Sequence, residues 1–172
     1  VMNDLAQSLA LAIDLAGIAG TGANGQPRGI LNTTGIGSVT TTTVAGGLTY
    51  AKAVELETAV KVDNADINTL KYVTNASVAG IAKTTEKATG TAQYILDGGM
   101  MNGYAANVSN QVPANTILFG DFSQLIIAMW GGLDIITERN SDNGSYIISA
   151  FQSVDFGVRH PESFSATVDL NQ

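Results

Sequence analysis

Several groups of residues have types and spacings that invite a chemical reading. Gly20, Gly22 and Gly25 spell G-x-G-x-x-G. That turn offers backbone N–H groups to a pyrophosphate when it follows a strand and opens a helix. Here it follows an apolar helical pattern, and Pro27 and Arg28 come straight after it. No acidic residue lies near Ala45, where a ribose ligand would be needed. The spacing therefore predicts a flexible loop, not a nucleotide site. Ser163, His160 and Asp155 supply the side-chain types of a nucleophile, base and orienter, but no nucleophile elbow surrounds them. His160 is the single histidine and sits beside Pro161, which reads as a turn. Asp63, Asn64 and Asp66 form half of a calcium-type loop without its closing glutamate. Glu55 and Glu57 are two apart on a helical pattern, so they cannot face each other. Asn-x-Ser/Thr triplets begin at Asn32, Asn75, Asn107 and Asn143, as expected by chance in an Asn- and Thr-rich chain. No catalytic residue, cofactor site or metal site emerges, and an enzyme is not expected.

Composition narrows the classes further. At 172 residues the chain is one domain, or one domain with part of another. Hydrophobic residues make up 45 %, too many for a charge-driven disordered chain. Charged residues are 13 %, about half the usual ~25 %. Eight Lys+Arg against 15 Asp+Glu give a net charge of −7, which argues against gripping a phosphate backbone. The absence of cysteine excludes disulfides, thiolate metal sites and cysteine catalysis. No run reaches the ~18 apolar residues of a transmembrane helix; Leu5 to Ala19 comes nearest, with Asp4, Gln7 and Asp14 breaking it. That segment also lacks the basic start of a secretory signal. Val1 to Asp4 already follow a helical pattern, so the chain is expected to be cut from something longer. A low-charge, Gly- and Thr-rich surface suits a chain whose flanks are covered by neighbours.

The elements that would position these residues follow from periodicity. Asn3 can cap a helix carrying Leu5, Leu9, Ala12, Ile13 and Ala16, which Gly17 and Gly20 should stop. Gly20 to Gly37 reads as a loop, and Ser38 to Gly47 as a weak strand or exposed loop. A second helix is expected over Thr49 to Val62, with Tyr50, Ala53, Leu56 and Val60 inward and Lys52 and Glu55 outward. A strand at Leu70 to Thr74 precedes a third helix, capped by Asn75 or Ser77 and running to about Lys87. Gln93 to Leu96 and Tyr104 to Val108 read as strands joined by a flexible Gly98 to Gly103. Thr116 to Phe119 reads as a buried strand. Asp121, with Gln124 as the return half of a capping box, predicts a helix carrying Leu125, Ile126, Met129 and Trp130, ended by Gly131-Gly132. Ile135-Ile136 and Tyr146 to Phe151 flank a polar turn at Asn140 to Gly144. Period-two alternation around Phe156 and again from Phe164 to Leu170 predicts strands with one buried face. Helices and strands mix without regular βαβ units, so the fold class is α+β, with no internal repeat.

Five landmarks, in order, give the chain a resemblance. They are Gly20 to Leu31, of the form G-T-G-x-x-G-x-P-x-G-I-L; Tyr72-Val73-Thr74-Asn75-Ala76-Ser77; Val108-Ser109-Asn110-Gln111-Val112-Pro113; Ile117 to Ser123; and Val158-Arg159-His160-Pro161-Glu162-Ser163-Phe164. Together they span about Leu15 to Val168. With them the sequence resembles the major capsid proteins of tailed bacteriophages and prophages, with the Hong Kong ninety-seven type of coat fold.

The resemblance implies an axial domain with a mixed sheet flanked by helices, plus part of a peripheral domain. Residues 1–33 would be the end of the spine helix and its loop, 34–138 the axial domain, 139–159 peripheral strands, and 160–172 a strand closing the axial domain. The implied function is a structural subunit that self-assembles, as pentamers and hexamers, into an icosahedral shell around double-stranded DNA. Implied partners are further copies of itself, with portal, scaffold and decoration proteins, and packaged DNA held without sequence-specific contacts; no membrane is implied. The implied location is the virion, after synthesis in the bacterial host cytoplasm. The acidic balance fits an inner face that repels packed DNA. Gly98, Gly99, Met100, Asn102, Gly103, Tyr104 and Pro113 are the candidate loops at a symmetry axis. Some relatives cross-link a Lys to an Asn with a Glu as catalyst. Alignment on Pro161 puts the Asn position at Gly144, beside Asn143, and the Glu position at Phe151, so no cross-linking is expected. Without the family's arm and extended loop, the fragment alone is expected to be monomeric or weakly associated. An encapsulin-like, non-viral shell protein of the same fold is the alternative reading. A β-rich adhesin and an enzyme stand further off.

Overall fold

The apolar spacing of the first segment makes helix α1 (Met2–Ala19). It continues through Gly17, which was expected to stop it. Gly17 is there for packing: a Cβ would lie 3.1 Å from Cε1 of Phe156, so only a bare backbone lets the ring this close. The helix ends where Gly20 N donates to Ala16 O at 2.9 Å. Asn32 Nδ2 then donates to the carbonyls of Ala19 and Gly20 at 3.1 and 2.9 Å. These bonds satisfy carbonyls that a helix end leaves orphaned. A computed structural model describes residues 2–40, 47–63 and 69–170. Asn64, Asp66 and residues 41–46 of the expected weak strand lie outside them.

Two further helices follow their sequence signals. Thr49 Oγ1 caps α2 (Tyr50–Val62) by accepting from Lys52 N. Ala53, Leu56 and Val60 are buried as expected. Lys52, expected outward, is buried as well, because its Nζ turns back to donate to Gly47 O at 3.1 Å. Asn75 caps α3 (Ala76–Thr84) by accepting from Ser77 N at 2.9 Å. The helix stops at Thr84 rather than Lys87, where Thr85 N and Oγ1 both turn back to Ile81 O.

Seven strands form one mixed sheet in the order β1-β9-β6-β2-β5-β4-β3. They are β1 (Gly37–Ser38), β2 (Leu70–Thr74), β3 (Leu96–Asp97), β4 (Met100–Met101), β5 (Tyr104–Val108), β6 (Ile117–Asp121) and β9 (Phe164–Thr167). β2 runs parallel to β5 across the α3 crossover and antiparallel to β6. β6 is buried along its whole length. On one face its Ile117 and Phe119 meet Tyr72, Leu56 and Val60 of α2, and Val78 and Ala82 of α3. On the other face Leu118 joins Ile30, Phe164 and Ala166. Double cover also explains β9. Alternation predicted one wet face, yet all of Phe164–Thr167 is buried. Its polar side is dry because Ser165 Oγ donates to Leu56 O at 2.7 Å under α2. Gly120 lies so close to the neighbouring chain that a Cβ there would sit 2.4 Å from Ser163 O.

The other two strands stand apart as a two-stranded antiparallel ribbon, β7 (Leu125–Arg139) on β8 (Tyr146–Val158). This corrects the helix expected from the Asp121–Gln124 box. Asp121 does cap, accepting from Ser123 N at 3.0 Å, but only the 3-10 turn Phe122–Gln124 follows. Leu125 to Trp130 then pair residue by residue with Val158 to Ser153. Ile126, Ile127 and Trp130 suit a strand as well as a helix, and Gly131-Gly132 mark the register shift between Trp130 and Asp134, not a helix end.

Candidate functional site

The β3–β5 meander carries most of the residues expected at a loop apex. Leu96 pairs with Met101 and Asp97 with Met100, leaving the two-residue turn Gly98-Gly99. Met101 then pairs with Tyr104, leaving Asn102-Gly103. All four turn residues have positive φ, between +50 and +85. Two-residue hairpin turns need that geometry, and Gly and Asn tolerate it. The segment read as a flexible linker is thus a strand between two tight turns. Pro113 follows Val112, which is fully buried, and Asn75 Nδ2 donates to Val112 O at 3.0 Å. The Val108–Pro113 landmark is therefore tied to the α3 cap, away from the two turns.

The second turn is pinned to α2 by a polar network that sequence reasoning missed. Tyr50 OH donates to Asn102 Oδ1 at 2.8 Å, and Asn102 Nδ2 donates to Glu57 Oε2. Tyr104 OH donates to Glu57 Oε1 at 3.1 Å, and Lys61 Nζ donates to the same oxygen at 2.6 Å. The bond that Lys61 donates to Glu57, then its contact with Tyr104, holds the ammonium above its usual range. Behind this network Tyr72 stacks 4.3 Å from Phe119 and donates its OH to Ala53 O at 2.8 Å. Burial pushes the Tyr72 phenol well above its usual range. The i, i+4 spacing of Glu57 and Lys61 was the available sequence signal; their contact with a hairpin some 45 residues away has none.

The ribbon forms the second candidate surface. Residues directly opposite in an antiparallel pair share a face. Ile127 pairs with Phe156 and Met129 with Val154 on one face; Trp130 and Ile136 share the other with Phe151 and Ile147. Ile13, Gly17 and Ile18 of α1 form an apolar cleft with Phe122, Leu125, Ile127 and Phe156 at the ribbon base. Beyond the base the apolar side chains are bare: Met129, Trp130, Phe151 and Tyr146 are 56–65 % exposed.

The residues weighed for catalysis are scattered or serve structure. Asp155 Oδ1 accepts from Phe156 N at 2.8 Å, Ser163 is fully buried, and His160 is exposed in the turn before Pro161–Ser163. Gly20 and Gly29 close a tight loop instead of a slack one: Gly29 N donates to Gly20 O at 2.9 Å, and a Cβ on Gly20 would lie 2.3 Å from Pro27 O. Burial raises the Asp121 carboxyl, but bonds from Thr69, Ser123 and Gln124 outweigh it and hold the group below its usual value. Among the described residues no cluster of His, Cys, Asp or Glu could hold a metal, and no helix is long and apolar enough to cross a membrane.

Comparison with known proteins gives this arrangement its relatives. The chain is 36 % identical over 173 residues to the major capsid protein of Halomonas phage phiHAP-1, covering 96 % of this chain and 27 % of that protein. The chain thus spans about a quarter of that relative's length. Its structure resembles the capsid of an empty GTA particle, with a TM-score of 0.73 and 23 % identity over 96 % of this chain and 64 % of the other. It also resembles the SrpI encapsulin of Synechococcus elongatus, with a TM-score of 0.64 and 15 % identity over 99 % of this chain and 65 % of the other. The phage capsid family matches residues 1–169, and the chain belongs to that family.

Proposed function

We propose that this chain is part of a major capsid subunit that self-assembles into an icosahedral phage head around double-stranded DNA. The observation that carries the reading is the identity to a phage major capsid protein across nearly the whole chain. The bare ribbon supports it, because a two-stranded hairpin is marginal alone and so large an apolar patch marks an interaction surface. In this reading α1, the Gly20–Gly29 loop and the ribbon form the peripheral unit, with β7 and β8 kept together. The seven-stranded sheet with α2 and α3 forms the axial unit, closed by β9. The turns Gly98-Gly99 and Asn102-Gly103, with Met100 and Tyr104, face a five-fold or six-fold axis. Many weak contacts then add up through closed symmetry. Further partners would be portal, scaffold and decoration proteins, and the site of action would be the virion.

The encapsulin neighbour favours a second reading, a non-viral shell of the same fold. Expression of the full-length gene product separates the two. Electron microscopy of the purified particles should show closed shells, and in the phage those shells should protect genomic DNA from nuclease. Shells carrying an enzyme cargo and no DNA would favour the second reading. A soluble monomer under all conditions would defeat both.

A further inference from the structure

Three Asn-Gly dipeptides occur, at Asn24-Gly25, Asn102-Gly103 and Asn143-Gly144. In each the glycine has positive φ, at +78, +85 and +70. An asparagine before glycine is open to attack by its own backbone, since glycine puts no Cβ in the path of its nitrogen. The three side chains are held in different ways. Asn102 is fixed by Tyr50 OH on Oδ1 and by Glu57 on Nδ2, two anchors on α2. Asn24 is exposed, and its side chain bonds to no described residue. Asn143 is exposed too, but its Oδ1 accepts from Ser145 N at 3.1 Å and from Ser145 Oγ at 2.7 Å.

We propose that Asn143, at the ribbon tip, is a site of self-modification activated by Ser145. Gly144 N attacks Asn143 Cγ and gives its proton to solvent, while negative charge gathers on Oδ1. The Cγ–Nδ2 bond then breaks, and the nitrogen takes a proton from water and leaves as ammonia. A cyclic imide remains, and water opens it to aspartate or isoaspartate. The net change is one amide and one water converted to one carboxylate and one ammonium. The two Ser145 donors lie on the atom where charge develops, the placement that stabilises an oxyanion. Gly144 N donates to Asn140 O at 3.0 Å; local opening of this exposed turn frees it. Both Ser145 donors belong to the same turn and move with it. Asn102 cannot turn onto Gly103 without leaving both anchors, and its product would set a second carboxylate against Glu57. The assignment does not depend on the shell reading.

Incubating the protein at mildly alkaline pH and mapping its peptides by mass spectrometry follows all three sites in one sample. Conversion should be fastest at Asn143, slower at Asn24 and slowest at Asn102. Ser145→Ala should slow Asn143 about two- to tenfold, the scale of one ordinary hydrogen bond, and leave Asn24 unchanged. Ser145→Thr keeps the hydroxyl and should keep the rate. The proposal fails if Asn24 converts as fast as Asn143, or if Ser145→Ala leaves the Asn143 rate unchanged or raises it.

Discussion

The sheet and the ribbon use the same kinds of side chain to opposite ends. Tyr72, Phe119 and Phe164 are fully buried in the sheet, whereas Tyr146, Phe151 and Trp130 stand more than half exposed on the ribbon. The difference lies in what covers each strand. β6 and β9 are sealed on one side by α2 and on the other by Ile30 and its neighbours. β7 and β8 have α1 at their base and nothing described beyond it. Apolar composition therefore divides into a part that folds the chain and a part left exposed on the ribbon.

Phe119→Ala, under the Tyr72 and Tyr104 rings, should cost about 3–5 kcal/mol in denaturant unfolding, enough to unfold a marginal domain. Gly120→Ala adds a methyl where Ser163 O leaves no room, and about 1–3 kcal/mol should be lost by the same measurement. Asp121→Asn should cost a similar 1–3 kcal/mol at neutral pH, about the worth of hydrogen bonds to a charged acceptor. The folded carboxyl is held below its unfolded value, so its contribution is present above the usual carboxylate range. That contribution fades as pH falls through the lowered value, and the gap between variant and parent should close in acid. Denaturant midpoints measured at neutral and acid pH check the sign; a gap that widens in acid would contradict it. The paired change Trp130→Ser with Phe151→Ser should move the stability of the isolated chain by less than about 0.5 kcal/mol. In the full-length subunit the same pair should prevent shells from forming, as counted by electron microscopy. A loss of several kcal/mol in the isolated chain would mean the ribbon belongs to the core, and the contrast would fall.

Much of the sheet was legible in the sequence. Leu70 to Thr74, Tyr104 to Val108 and Thr116 to Phe119 declare themselves as strands, and of the two caps offered for the third helix, Asn75 is the one used. The helix expected over Leu125 to Trp130 failed because a short run of Leu, Ile, Met and Trp fits both periods. Its pairing with Val154 to Val158 is a tertiary fact. Phe164 to Thr167 alternates like a half-exposed strand, yet its serine bonds to Leu56 O of α2 and its threonine to Asp169, contacts that no local pattern announces. Of the candidate loop, Gly98-Gly99 and Asn102-Gly103 carry a readable hairpin signal, which outweighs the glycine content that suggests a flexible linker. The tie from Glu57 to Asn102 and Tyr104 joins residues too far apart in sequence to be read.

The place of β9 has a consequence in time. It lies between β1, near residue 37, and β6, near residue 119, although it follows both in the chain. The sheet therefore cannot be completed until residues 164–167 settle between two strands that lie far earlier in the chain. Closing such long loops is entropically slow. A chain still being synthesised therefore lacks the finished sheet until one of the last strands described is in place.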